Sequence, residues 1–173
     1  PALAETLGLL YDAATAFGVE SITAENAGTF EGCQGICPTG WHIPTLAEMT
    51  GLVGQCVDGL TDPDGAYYDA TISGASLAAL KEAGWEWQFA STRNKTSTTG
   101  KGSYLSTTYN DIYGVMSYII GSTHIATTTN TDGSLKNIQY YYFMPLYNAS
   151  NEKVSVAKGN FLSGASIRCV KNK

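Results

Sequence analysis

The sequence predicts an α+β domain. Helical spacing of apolar residues is confined to the first half of the chain, and a period of two in aromatic and β-branched residues takes over in the second. With 43% hydrophobic and 14% charged residues, the composition has ample apolar material for a core and too little charge for a disordered chain. Its 173 residues suit one domain, read as spanning 1–173.

The elements follow in order. Leu9-Leu10-Tyr11 predicts a short strand running into a helical turn at Asp12-Ala13-Ala14, with Asp12 placed to cap the first free amides. Residues 18–36, rich in Gly, Glu and small polar side chains without a period, predict a loop. A helix starts after Thr45: its hydroxyl can accept from the amide three residues on while Glu48 reaches back, the reciprocal capping-box arrangement. Leu46, Met49, Leu52, Val53 and Cys56 then fall on one apolar stripe.

A second helix is predicted over about 76–83, carrying Leu77, Ala78 and Leu80, with Gly84 as its left-handed cap. Residues 92–102 are Thr, Ser, Asn, Lys and Gly and predict an exposed loop. Segments 103–108, 114–120, 138–146 and 166–170 read as strands. Asn130-Thr131-Asp132-Gly133 and Asn148-Ala149-Ser150-Asn151 carry the residues that close turns.

Charge and hydropathy exclude two classes of partner. The formal net charge is -5 and the ten basic residues are scattered, whereas binding to a phosphate backbone needs them gathered on one face. The longest apolar stretch, near Tyr113 to Ile120, is interrupted by Gly114 and Ser117, well short of the roughly 20 residues of a membrane helix. Neither nucleic acid binding nor membrane insertion is expected. Pro1-Ala2-Leu3 opens the chain without an initiator Met or an apolar h-region, and the expectation is a domain excised from a larger exported protein.

Four cysteines, Cys33, Cys37, Cys56 and Cys169, permit two bridges in three connectivities. Zinc is the rival reading, since Cys33 and Cys37 are close, but no second close pair follows and His42 and His124 lack ligand spacing to each other. Buried free thiols are the third reading. The balance favours disulfides and an oxidising compartment.

Gln34-Gly35-Ile36-Cys37-Pro38-Thr39-Gly40-Trp41-His42-Ile43-Pro44-Thr45, followed by Ala47-Glu48, resembles the signature of the Fibrobacter succinogenes major paralogous domain family. Three further landmarks occur in the family's order: Leu80-Lys81-Glu82-Ala83-Gly84-Trp85, Tyr104-Leu105-Ser106-Thr107-Thr108 and Ser166-Ile167-Arg168-Cys169-Val170. Counting Gly8-Leu9-Leu10-Tyr11 as the opening strand, the resemblance covers residues 7–171. Leu105 stands where the family usually has Trp, and Met49 where a second Trp is common, so the frame is implied and a pocket built on those rings is not.

The resemblance implies a C-type-lectin-like fold: two helices packed on a twisted, mainly antiparallel sheet, adjacent first and last strands, and a long irregular loop region. It implies a bridge from Cys37 to Cys169, which leaves Cys33 and Cys56 as the remaining pair; Cys56 otherwise reads as a small core residue. It also implies export to the cell surface of a bacterium, in a surface lipoprotein or at a pilus tip.

No metal or cofactor is assigned. Calcium-dependent lectins of this fold rely on Glu-Pro-Asn or Gln-Pro-Asp with Trp-Asn-Asp, and these tripeptides do not occur. Asp62, Asp64 and Asp69, with Asp58, are the residues a calcium ion would use, but no Glu completes a bidentate set and an Asx-rich turn explains them. His42 directly precedes the capped helix and reads as a structural hydrogen-bonding residue; His124 has no acid placed to orient it, so no triad is supported. The helix start is also similar to that of formylglycine-generating enzymes, but the cysteine frame leaves no second thiol pair for their chemistry. No catalytic residue is assigned.

Binding is the favoured role. Tyr140-Tyr141-Tyr142-Phe143 places alternate rings on opposite faces of a strand, and Tyr140 and Tyr142 are read as the outward pair, although the reverse fits the alternation equally. Together with Tyr147, Asn148, Ser150 and Asn151, and with Tyr109, Asn110 and Asp111, they form the candidate ligand surface, because exposed Tyr beside Asn and Ser makes adaptable contacts to sugars or peptides. The expected role is an extracellular binding or adhesion module for a glycan or a host or surface protein. The alternative is a ligand-free capping domain of a multi-domain surface protein.

Overall fold

A computed structural model of the chain describes residues 9–56, 118–132, 135–148, 151–160 and 164–173. Asp12 starts the first helix, α1 (Ala13–Phe17), by accepting the Thr15 amide on its Oδ1 at 2.8 Å. Gly18, at φ 72, ends it in the left-handed conformation, and the Gly18 and Val19 amides satisfy the carbonyls of Thr15 and Ala14. Ala13, Ala16 and Phe17 are thereby turned into the core. A 3-10 turn follows at Ala27–Thr29.

The capping box forms as the sequence predicts. The Thr45 amide donates to Glu48 Oε2 at 3.0 Å and the Glu48 amide donates to Thr45 Oγ1 at 3.3 Å, starting helix α2 (Leu46–Cys56). Of the expected stripe, Met49 is buried and Leu46 and Leu52 are half-buried; the side chains of Val53 and Cys56 lie outside the described residues.

Two antiparallel sheets complete the described fold. One joins β1 (Trp41–His42) to β5 (Val170–Lys171). The other has the order β2-β3-β4, with β3 (Leu135–Asn148) between β2 (Ile119–Thr129) and β4 (Asn151–Asn160). Expected strand 138–146 lies within β3. Of the expected strand 114–120, residues 114–117 lie outside the described residues; its end falls in β2, which continues through the Thr-rich segment to Thr129. Expected strand 166–170 is realised as a bridge at Ser166 and the start of β5. The whole of β4 was missed. Its polar composition hides a strand whose pairing with β3 is unbroken from Gln139↔Asn160 to Asn148↔Asn151. The second helix, the 92–102 loop and the 103–108 strand lie outside the described residues.

The chain's early and late segments are sewn together. Tyr11 and Ala165 exchange both backbone hydrogen bonds at 2.8 Å, while Ser166 bonds to Tyr118 and Ile120 at the start of β2. Cys37 is bonded to Cys169, 132 residues away, just before β5. This is the bridge implied by the family resemblance.

Cys33 carries a free thiol, which corrects the expectation that it is bridged. The reason is geometric. The Cys33 carbonyl accepts the Ile43 amide at 2.9 Å, so Cys33 lies beside the approach to α2, whereas Cys56 is the last of the 11 residues of that helix. A rise of about 1.5 Å per residue carries Cys56 roughly 15 Å along the axis.

A single buried cluster unites these pieces: α1 contributes Ala13, Ala16 and Phe17, the loops Ile22, Ala27, Cys37 and Ile43, and the sheet Ile120, Ile138, Tyr140 and Tyr142. Gly35 is needed for this packing. At φ 53 a Cβ on it would stand 2.1 Å from the Ala16 carbonyl oxygen, so only glycine lets the loop pass against α1.

Candidate functional site

Ser122 and Thr123 hold the capped start of α2 against β2. Between Ile120↔Tyr142 and His124↔Tyr140, four steps on β2 answer two on β3, so the strand bulges there. The bulge turns Ser122 and Thr123 toward the 31–46 loop. Ser122 is fully buried; its hydroxyl accepts the Gly32 amide at 2.9 Å and faces the carbonyls of Ile43 and Pro44 at 3.1 Å each. Thr123 Oγ1 accepts the Leu46 amide at 2.8 Å and donates to Glu31 at 2.9 Å, adding a long-range cap to the local one.

Ser122→Ala removes the acceptor of the Gly32 amide and the hydroxyl that faces the buried Ile43 and Pro44 carbonyls, and is expected to cost about 1–3 kcal/mol, measured by urea unfolding. A loss below a few tenths of a kcal/mol would mean that this junction contributes nothing to the frame.

His42 occupies the other side of the cap. Its Nε2 lies 3.0 and 2.9 Å from the two carboxylate oxygens of Glu48, and its Nδ1 is 2.7 Å from Asn172 Oδ1. This matches the structural role expected of it. Burial works against the charged ring, but the hydrogen bonds to Glu48 and Asn172 and the Glu48 charge outweigh it, raising the His42 pKa above 6.5. Burial likewise opposes charge on Glu48, while hydrogen bonds from Thr45 and His42 hold its pKa below 4.5. His124 instead bonds Thr127 at 3.0 Å and sets its ring edge-on to Tyr140.

The thiol chemistry here is quiet. Burial pushes the Cys33 pKa up, disfavouring the reactive thiolate, and Cys37 and Cys169 are committed to their bridge. Among the described residues no three His, Cys, Asp or Glu side chains stand together as a metal cluster. Asp58, Asp62, Asp64 and Asp69 lie outside them, as do Tyr109, Asn110, Asp111 and Ser150. The backbones of Tyr147, Asn148 and Asn151 frame the β3–β4 hairpin, Asn148 opposite Asn151; their side chains lie outside what is described.

Tyr140 and Tyr142 are not on the surface. Both are fully buried, and this corrects their assignment to a ligand surface. The Tyr140 hydroxyl donates to the Ala27 carbonyl at 2.7 Å and its ring meets Phe17 edge-on at 5.0 Å; the Tyr142 hydroxyl donates to the Asn160 carbonyl at 3.0 Å. Burial raises both phenol pKa values, so the rings stay neutral donors. Neighbouring Tyr141 and Phe143 are buried too. Because residues 140–143 of β3 are covered on both faces, alternation there has no wet side to select.

The large apolar side chains left exposed among the described residues are Leu9, Ile36 and Trp41. Trp41 went unnoticed as a surface residue, although its alternation with inward His42 along β1 was a usable signal. No helix among the described residues is long and apolar enough to cross a membrane. No protein-family model, curated protein or solved structure matches the chain.

Proposed function

We propose that this chain is an extracellular binding module with a C-type-lectin-like frame, presenting a glycan-binding or protein-binding surface outside a bacterial cell. The observation that carries this reading is the Cys37–Cys169 bridge, which ties the loop before β1 to the chain's last strand. Such bridges persist in oxidising compartments, and a frame clasped in this way supports recognition loops without depending on them for stability. The candidate surface is now Tyr109, Asn110 and Asp111 together with Tyr147, Asn148, Ser150 and Asn151.

The test is a glycan-array and host-matrix binding assay on the disulfide-intact chain. Two variants, Tyr109→Ala/Asn110→Ala and Tyr147→Ala/Asn148→Ala, are compared with the parent at matched thermal stability. Loss of a bound ligand in either variant supports the surface; a ligand retained by both removes it.

The second reading is a ligand-free capping domain of a surface protein. One observation favours it: the two rings with the most obvious recognition chemistry are consumed by the core. No binding to any glycan or matrix protein would favour this alternative.

A further inference from the structure

Three parts of the chain meet at one titratable ring. His42 sits on β1, Glu48 faces it from the first turn of α2, and Asn172 faces it from just beyond β5. Both ring nitrogens are aimed at oxygens, at 2.9 Å on the Glu48 side and 2.7 Å on the Asn172 side. A carboxylate oxygen and an amide oxygen only accept, so both contacts are hydrogen bonds only when each ring nitrogen carries a hydrogen. That is the imidazolium form.

We propose that His42 is a proton-operated latch that fastens the C-terminal strand to the start of α2 and loosens residues 170–173 when the ring loses its proton. The neutral ring keeps one N–H. If that hydrogen stays on the Glu48 side, the bare Nδ1 faces the Asn172 oxygen, two acceptors oppose each other and Asn172 withdraws; an amide that instead turned over and donated to Nδ1 would keep the strand fastened, and unchanged Asn172 protection would reveal it.

Glu48 is the charged group that faces the ring from α2. From the C-terminal side the ring meets the neutral Asn172, flanked in sequence by the exposed Lys171 and Lys173. The disulfide still anchors Cys169 when the latch opens, while the ties it loosens are the Asn172 amide's bond to the Gly40 carbonyl and the β1–β5 pairing. The opening is therefore a local fraying of the strand rather than loss of the fold.

The sign follows from the two carboxyl and imidazole shifts. The raised His42 pKa means the latch contributes fully below pH 6.5 and is lost as pH rises through the folded-state value. The lowered Glu48 pKa means its share is present above pH 4.5 and is lost as pH falls through its own folded-state value. Between those limits the latch is closed.

NMR on the unmodified, disulfide-intact chain tests this by following the His42 ring and the Asn172 backbone amide from about pH 5 to about pH 9, where imidazole titrates. His42 is expected to titrate above 6.5. Across that titration the protection factor of the Asn172 amide, corrected for intrinsic exchange, is expected to fall by up to about tenfold for each unit of the His42 shift. Asn172→Asp, which gives the ring a second anion, is expected to move the titration higher. The latch is overturned if His42 titrates at or below 6.5, or if Asn172 protection does not change across the His42 titration.

Discussion

Replacing Cys37 and Cys169 together by alanine is expected to lower stability by up to about 5 kcal/mol, the loop-closure entropy of a cross-link spanning more than a hundred residues. At about 2–4 °C per kcal/mol for a chain of this size, the melting temperature should fall by roughly 10–20 °C. The effect is large because the bridge does two things at once. In the unfolded chain it removes most of the freedom of the ends, and in the folded chain it holds β5 where Asn172 can reach Gly40 and His42. Cys33→Ser, by contrast, removes a half-buried free thiol and should cost far less. Calorimetry on both variants separates them, and equal losses would mean that Cys33 carries a bond the structure does not give it.

Tyr140→Ala is the second large effect, expected at roughly 3–5 kcal/mol, because it empties a fully buried ring site between Phe17 and His124. Tyr140→Phe keeps the ring and removes only the hydroxyl that satisfies the Ala27 carbonyl, for about 1–2 kcal/mol. The graded pair distinguishes core from surface. A ligand-facing tyrosine would lose binding on truncation with stability nearly unchanged, and that pattern would return Tyr140 to the surface. Urea unfolding of both variants, read at constant slope, measures the difference.

How far the residues themselves foretold this arrangement depends on the range over which each signal acts. Both helix starts were legible, because Asp12 capping Thr15 and Thr45 exchanging bonds with Glu48 are contacts over three residues. The turn signal at Asn130, Thr131 and Asp132 was legible too: a turn lies at 131–132 and Thr129 pairs with Leu135 across it. The Cys37–Cys169 bridge came from the family resemblance, since four cysteines alone leave three pairings open.

What escaped was set by distant partners. The four aromatic residues 140–143 alternate correctly for a strand, but only tertiary packing decides that both faces are dry: the α1 core covers Tyr140 and Tyr142, and Tyr141 and Phe143 are buried on the other face. Ser122 and Thr123 look like ordinary polar strand residues until the bulge in β2 places them under a loop some 80 to 90 residues earlier. β4 is too polar to announce itself, and its strand character comes from pairing with β3. Cys33 reads as one half of a pair by arithmetic alone, yet the direction of α2 carries Cys56 away from it.

Peptide mapping of the unreduced protein after alkylation tests the frame most directly. One cross-linked species is expected, joining the peptides that contain Cys37 and Cys169, with Cys33 recovered as the alkylated thiol. Recovery of Cys37 linked to Cys33 or Cys56, with Cys169 alkylated, would contradict the clasp between the chain's early loop and its last strand.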